Sequence, residues 1–117
     1  GIGVVSKMQH IKLIKDFDVA PNTVLEKDKE VNELFNGPFR KLVEVRLQNG
    51  ATLSKHKANE PITVFCVSGN GVFRAGSDLE DPFVLHAGAL ITLEAGVEHE
   101  VVAEPALHLI VTKFKDS

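Results

Sequence analysis

The chain contains the segments GATLSKHKANEPITVFCVSG (residues 50–69) and GALITLEAGVEHEV (residues 88–101). In the first segment, five residues separate Gly50 from His56, and Gly69 stands at the end. In the second, seven residues separate Gly88 from a further glycine, and His99 follows that glycine after two more residues. Composition alone would not produce these spacings of glycine and histidine, so the two segments carry most of the information about the fold.

Short apolar or alternating runs occur before, within and after these segments. They favour strands over helices, because the apolar residues do not recur every three or four positions over a long stretch. We predict strands at Ile11 to Ile14, Val31 to Phe35, Phe39 to Leu47, Thr52 to Lys57, Ile62 to Val67, Val72 to Ala75, Phe83 to His86, Ala89 to Leu93, Glu98 to Val102 and Leu107 to Phe114.

Turn-forming residues separate the predicted strands. They are Asn36-Gly37-Pro38, Gln48-Asn49-Gly50, Ser68-Gly69-Asn70-Gly71, Gly76-Ser77-Asp78 and Asp81-Pro82. Glycine adopts positive φ, proline fixes φ, and Asn, Asp and Ser side chains bond to nearby backbone. Turn signals about every 8 to 12 residues indicate a β-sandwich or a β-barrel.

The stretch from Asn22 to Phe35 allows two interpretations. Asn22 would cap a helix with a loose apolar stripe, or residues 31–35 would form a strand that turns at Asn36-Gly37 into the next strand. We favour the strand, because an Asn-Gly pair between two apolar runs is a strong hairpin signal. A short N-terminal helix or a swapped N-terminal strand is compatible with the remaining sequence.

The composition points to the same fold class. Val, Ile and Phe together number 28 against 9 Ala, and the first three residue types fit a pleated, half-buried surface. A chain of 117 residues has the length of one domain and can fold without disulfides or a structural metal. Since neither repeats nor a linker are visible, we expect a single all-β domain over residues 1–117.

The charge balance excludes several partners. Lys and Arg number 13 against 16 Asp and Glu, which gives a net charge of −3 and no basic surface for a phosphate backbone. No stretch approaches the roughly 20 apolar residues that span a bilayer, and polar residues interrupt Gly1 to Ile14, where a signal peptide would have its apolar core. We therefore expect a cytoplasmic protein that binds neither nucleic acid nor membranes.

Together the two segments resemble the two sequence motifs of the cupin family. In words, these motifs are a Gly, five residues, His-x-His, a later Glu and a Gly, and then a Gly, five residues, Pro-x-Gly, two residues and a His. The matching residues are Gly50, His56, Gly69, Gly88, Gly96 and His99. The resemblance implies a small single-domain cupin of the RmlC-like type, whose fold is a jelly-roll barrel, the double-stranded β-helix.

Three positions depart from the motifs. Ala58 stands at the second His position, Ile62 stands where the metal-binding Glu is expected, and Glu94 replaces the Pro. The resemblance implies that cupin enzymes hold Fe, Mn, Ni or Zn with three His and a Glu, so this chain keeps only His56 and His99 of that set. Because an open metal site needs three protein ligands, we expect at most weak binding of such a divalent metal and no other cofactor.

Glu60 is the candidate for a third metal ligand. In an unbroken strand His56, Ala58 and Glu60 point to one face, although Pro61 indicates that the chain bends there. The alternative is that His56 and His99 act without metal, as hydrogen-bonding groups that line a cavity.

The replaced positions predict an apolar pocket. Ala58 and Ile62 remove charge and open volume, and Val64 and Cys66 share the face of Ile62 by the period of two. Such a pocket suits a small, largely apolar ligand. We interpret Cys66 as a wall residue and not as a nucleophile, because an apolar setting neither lowers a thiol pKa nor supplies a base.

Glu44 and Arg46 alternate with Val43 and Val45 and therefore share the opposite face of that strand. Most such pairs are solvated surface charges, and this is the expectation here. If that face lined the barrel mouth, Arg46 would instead anchor a ligand carboxylate or phosphate.

Three functional hypotheses follow. The first is a cupin-fold protein, expected to be a homodimer, that binds a small molecule in the barrel between His56 and His99. The second is a metal-dependent oxygenase or isomerase in which Glu60, water or substrate completes the ligand set. The third, implied by resemblance to sugar-nucleotide epimerases, is a metal-free sugar-modifying enzyme with His99 as general base. We favour the first, because half of the metal ligands are missing.

Overall fold

Alternating apolar side chains form strands throughout the part of the chain that the structure describes. The structure is a computed structural model, and it describes residues 3–8, 11–15, 18–19 and 24–115. These residues form nine strands and no helix: β1 (Gly3–Met8), β2 (Ile11–Lys15), β3 (Lys29–Asn36), β4 (Arg40–Leu47), β5 (Thr52–Lys57), β6 (Ile62–Ala75), β7 (Asp81–His86), β8 (Leu90–Leu93) and β9 (Glu98–Phe114). The all-β prediction is therefore confirmed.

Two long strands connect the layers of the barrel. The second half of β9 lies between β4 and the first half of β6, and β3 and β8 extend this layer at its two edges. The first half of β9 lies between β5 and the second half of β6, and β7 extends that layer. β1 and β2 form a separate two-stranded sheet. All pairs are antiparallel, and β6 and β9 run through both layers, as in a double-stranded β-helix.

The predicted turn at Ser68 to Gly71 is wrong, because β6 continues through it. The register of β6 against β9 shifts between Cys66 and Ser68 and again between Gly69 and Gly71, so the strand bends at bulges without ending. Gly69 has a φ of 93°, and a Cβ there would lie 2.2 Å from the carbonyl oxygen of Ala106. Glycine is needed here because the two backbones approach more closely than a side chain allows.

The predicted break between Glu98 to Val102 and Leu107 to Phe114 is wrong for a related reason. These two runs form the single 17-residue strand β9. Sequence periodicity shows that alternation is interrupted, but it does not distinguish a bend within a strand from a turn between two strands.

The strand interpretation of residues 31–35 is confirmed. These residues lie in β3, which pairs with β4 through a tight connection in which the Gly37 N–H donates to the carbonyl oxygen of Arg40 at 2.9 Å. The helix alternative is excluded for residues 29–36, and its proposed cap, Asn22, lies outside the described residues.

The inward faces of both layers form one apolar core. Its buried members are Val43, Val45, Leu47, Ile62, Val64, Cys66, Phe73, Ala75, Leu85, Val101, Ala103, Leu107 and Leu109. Within the described ranges, no helix has the length and hydrophobicity needed to cross a membrane.

Candidate functional site

A cavity of about 300 Å³ is lined by residues of β3, β4, β5, β6 and β9 and by Ala58, which follows β5. Eleven of its fifteen lining residues are apolar: Val31, Val43, Val45, Leu53, Ala58, Ile62, Val64, Phe73, Val101, Leu109 and Val111. The other four are His56, Lys57, His99 and Lys113. An apolar cavity with a few polar groups is the usual form of a small-molecule site.

The two motif histidines meet in this cavity. His56 on β5 and His99 on β9 are register partners, and their ring centroids are 4.2 Å apart in an edge-on arrangement. The ring of Phe73 stacks on His99 with an interplanar angle of 8° and a centroid distance of 5.4 Å. His99 is buried and His56 is exposed, so the pair reaches from the core to the solvent side of the site.

Backbone carbonyls fix the tautomer of both rings. His56 Nδ1 lies 2.8 Å from the carbonyl oxygen of Ser54, and His99 Nδ1 lies 3.0 Å from that of Val97. A carbonyl oxygen only accepts hydrogen bonds, so each Nδ1 carries the proton. In the neutral ring, Nε2 is then the acceptor, and the pair offers two acceptor nitrogens.

Burial keeps His99 neutral. Desolvation lowers the pKa of His99 below the ordinary value for imidazole, and the electrostatic effects of His56 and Lys113 act in the same direction. The hydrogen bond to the Val97 carbonyl opposes this shift without cancelling it. At neutral pH His99 therefore presents an unprotonated Nε2.

The structure brings five of the predicted site residues together. His56, Ala58, Ile62, Val64 and His99 all line the cavity. Their common position follows from two strand pairings, that of β5 with β9 and that of β6 with β9.

Three other predicted residues lie elsewhere. Cys66 is fully buried in the core beyond the cavity wall, and burial raises the pKa of its thiol. Glu60 follows β5 but does not line the cavity. Arg46 lies on the face of β4 opposite to Val43 and Val45, and so it faces away from the site.

The expectation that Glu44 and Arg46 are solvated is wrong. Their exposed fractions are 2% and 8%, and Glu44 Oε2 lies 2.8 Å from His108 Nε2 and 3.5 Å from Arg46 Nε. Asn32 Nδ2 donates to Glu44 Oε1 at 3.1 Å, and Arg46 donates to the carbonyl oxygen of Asp18. A polar cluster is thus buried behind the strand whose other face lines the cavity.

The donor set does not fit a resident metal. Among the residues that the structure describes, no three His, Cys, Asp or Glu side chains converge on one point. Ala58 and Ile62 line the cavity and supply no donor atom. Since two imidazoles fall short of the three protein ligands of an open site, we derive no metal-dependent step.

Sequence reasoning missed several lining residues. Phe73 and Lys113 lie in runs whose alternation was visible, but only strand pairing shows that these faces meet the histidines. Lys113 follows Leu109 and Val111 by the period of two, which was the available signal.

Comparison with known proteins supports the architecture. No family model matches the chain, and no curated protein matches it. A protein of unknown function from Streptococcus pyogenes is similar in structure, with a TM-score of 0.74 and 18% identity over 98% of this chain and 99% of that one. A cupin superfamily protein from Desulfitobacterium hafniense has a TM-score of 0.75 and 10% identity over 97% and 99% of the two chains.

A third similar structure is described as having a double-stranded β-helix fold. An RmlC-like cupin protein from Methanocaldococcus jannaschii, with a double-stranded β-helix fold, has a TM-score of 0.66 and 16% identity over 86% of this chain and 93% of that one. The strand order and the two bent strands described above agree with this architecture. The chain therefore has the fold of the small RmlC-like cupins.

Proposed function

We propose that this protein binds a small, largely apolar molecule that donates a hydrogen bond to the His56–His99 pair. The observation that carries this proposal is the placement of two imidazoles, each with Nδ1 held by a backbone carbonyl, in a cavity of about 300 Å³ whose other walls are mostly apolar. The apolar walls stabilise the bound molecule by removing its surface from water. The Nε2 acceptors select its orientation.

The cavity volume limits the size of the ligand. An apolar cavity of about 150 Å³ holds one benzene molecule. The cavity here is about 300 Å³ and so accommodates one ring with a short side chain. A hydroxyl or N–H group on that ring would complete a hydrogen bond that a plain hydrocarbon leaves unmade.

Calorimetric titration with 4-ethylphenol and ethylbenzene tests the proposal. We expect 4-ethylphenol to bind about threefold to tenfold more tightly, because one net hydrogen bond contributes roughly 0.5–1.5 kcal/mol. The double variant His56→Ala, His99→Ala should lose this preference. His86→Ala is the matched control, since His86 is exposed and does not line the cavity. Equal preference in the wild type and the double variant would contradict the proposal.

The metal-free sugar-modifying alternative has less support. A general base works best with a pKa near the operating pH, whereas burial moves the pKa of His99 downward. A sugar also needs many hydrogen-bonding partners, and eleven of the fifteen lining residues offer none from their side chains.

We also propose that the protein is a homodimer. Phe65 on β6 and Leu90 on β8 are register partners with exposed fractions of 42% and 66%, and they form an apolar outer surface. Burying that surface against a second copy would stabilise both chains. Light scattering should give twice the chain mass, and Leu90→Lys should give monomers. A monomeric wild type at micromolar concentration would refute this proposal.

A further inference from the structure

The charged side chains that line the cavity are all positive. Lys57 and Lys113 line it, and no Asp or Glu does, although the chain as a whole has a net charge of −3. Lys113 continues the inward-facing row of Leu109 and Val111 on β9. Its positive charge is close enough to His99 to disfavour protonation of that ring.

A second lysine lies directly opposite Lys113. Lys41 on β4 is its register partner, so both side chains project from the same face of the sheet. Like charges in this position repel each other. Within the described residues neither ammonium has a carboxylate partner, in contrast to Lys55, whose Nζ lies 2.9 Å from Glu98 Oε2. A bound anion would relieve the repulsion between Lys41 and Lys113.

We infer that the ligand of this cavity is a carboxylate anion, with its apolar body among the valines, its hydroxyl or N–H group at the His56–His99 pair, and its carboxylate at Lys113 and Lys41. The inference rests on the proposed function and adds the charge of the ligand to it. The Nδ1–H groups of both histidines already donate to backbone carbonyls, and the charged side chains at the cavity are lysines, so the lysines supply the contact with the carboxylate.

Arg46 has no part in this recognition. The sequence suggested Arg46 as an anchor for a ligand carboxylate, but its guanidinium is engaged with Glu44 and with the backbone of Asp18 on the other face of β4. The lysine pair therefore takes the anion-binding role that the sequence offered to Arg46 only as an alternative to a solvated surface charge. Lysine is a point charge on a flexible stem, which suits a carboxylate that enters from solvent.

A matched ligand pair tests the inference by calorimetry. The probes are 3-(4-hydroxyphenyl)propanoate and its amide, which differ in charge and share the ring and hydroxyl. We expect the wild type to bind the acid at least about tenfold more tightly than the amide. Lys113→Gln and Lys41→Gln should each weaken binding of the acid by about threefold to fivefold and leave binding of the amide unchanged. Raising the salt concentration should reduce the preference for the acid.

Two further variants test whether the effect on binding comes from the positive charge at the cavity and not from the change of side chain or of net charge. Lys113→Arg keeps the positive charge and should retain most of the affinity for the acid. Lys27→Gln removes a charge from an exposed residue outside the cavity and should change neither affinity. A thermal melt of each variant confirms that it is folded.

The outcomes distinguish this inference from the proposed function. The carboxylate inference is overturned if the wild type binds the acid and the amide with equal affinity, or if Lys27→Gln weakens binding of the acid as much as Lys113→Gln does. If the amide still binds in a histidine-dependent way, the proposed function stands. If neither probe nor 4-ethylphenol binds, the proposed function fails and the inference fails with it.

Discussion

Two buried leucines differ in whether they line the cavity, and they should therefore differ in how much stability is lost when each is replaced by alanine. Unfolding measurements can detect this difference. Leu109 and Leu85 have exposed fractions of 1% and 0%, and both belong to the apolar core. Only Leu109 lines the cavity, whereas Leu85 lies outside its lining. We therefore expect Leu109→Ala to lower the free energy of unfolding by less than Leu85→Ala.

The expected magnitudes follow from two contributions. Replacing a buried leucine by alanine loses transfer free energy, about 2–3 kcal/mol, and leaves a void whose cost is proportional to its volume, for a total of about 3–5 kcal/mol in a closely packed site. At Leu85 both contributions apply. At Leu109 the new space joins an existing cavity of about 300 Å³, so the second contribution is small. The two variants should differ by about 1 kcal/mol or more.

Urea unfolding measures this difference directly. The midpoint and the slope give the free energy of unfolding of each variant, and an unchanged slope indicates that the denatured state is comparable. If Leu109→Ala lowers the free energy of unfolding as much as Leu85→Ala, then Leu109 packs as closely as Leu85 and the cavity described here is not open in solution. A larger loss for Leu109→Ala would refute the reasoning more strongly.

Three further predictions concern the stability of the fold around the site. Gly69→Ala should destabilise the fold more than Gly88→Ala in thermal melts, because both glycines have φ values of 93° but only at Gly69 would a Cβ meet backbone within 3 Å. As the pH falls below the ordinary imidazole value of 6.5, stability should decrease, because burial lowers the pKa of His99 and that of His108 and the unfolded chain therefore binds more protons than the folded chain; His99→Phe should remove the part of this dependence of the urea midpoint that His99 contributes. Glu44→Leu should lower the free energy of unfolding by about 3 kcal/mol or more in urea, because it leaves the buried Arg46 without its carboxylate.

Local sequence features were enough to predict most of the strands and the cupin-like motif. The glycine and histidine spacings of residues 50–69 and 88–101 identified His56 and His99, and the Asn36-Gly37 pair located the hairpin between β3 and β4. These features succeed because they depend on local backbone conformation: a positive φ, a tight turn, or a period of two along one strand.

The buried polar cluster and the continuity of β6 depend on pairing between strands that are distant in the sequence. Alternation placed Glu44 and Arg46 on the face opposite to Val43, but it did not show that this face is also covered, and so the buried cluster with His108 was not foreseen. A bulge shifts the alternation by one residue, which made β6 look like two strands joined by a turn.

The spacing of residues along the chain indicated the all-β fold class, the two motif histidines and the departures from the cupin motif at Ala58 and Ile62, because each of these depends on which residues stand at fixed intervals. Strand pairing brings Phe73 onto His99, places Cys66 in the core, and sets Lys41 opposite Lys113 beside the cavity. The physical reason is that the sequence specifies the two faces of each strand, whereas the strands that pair with it determine what each face contacts.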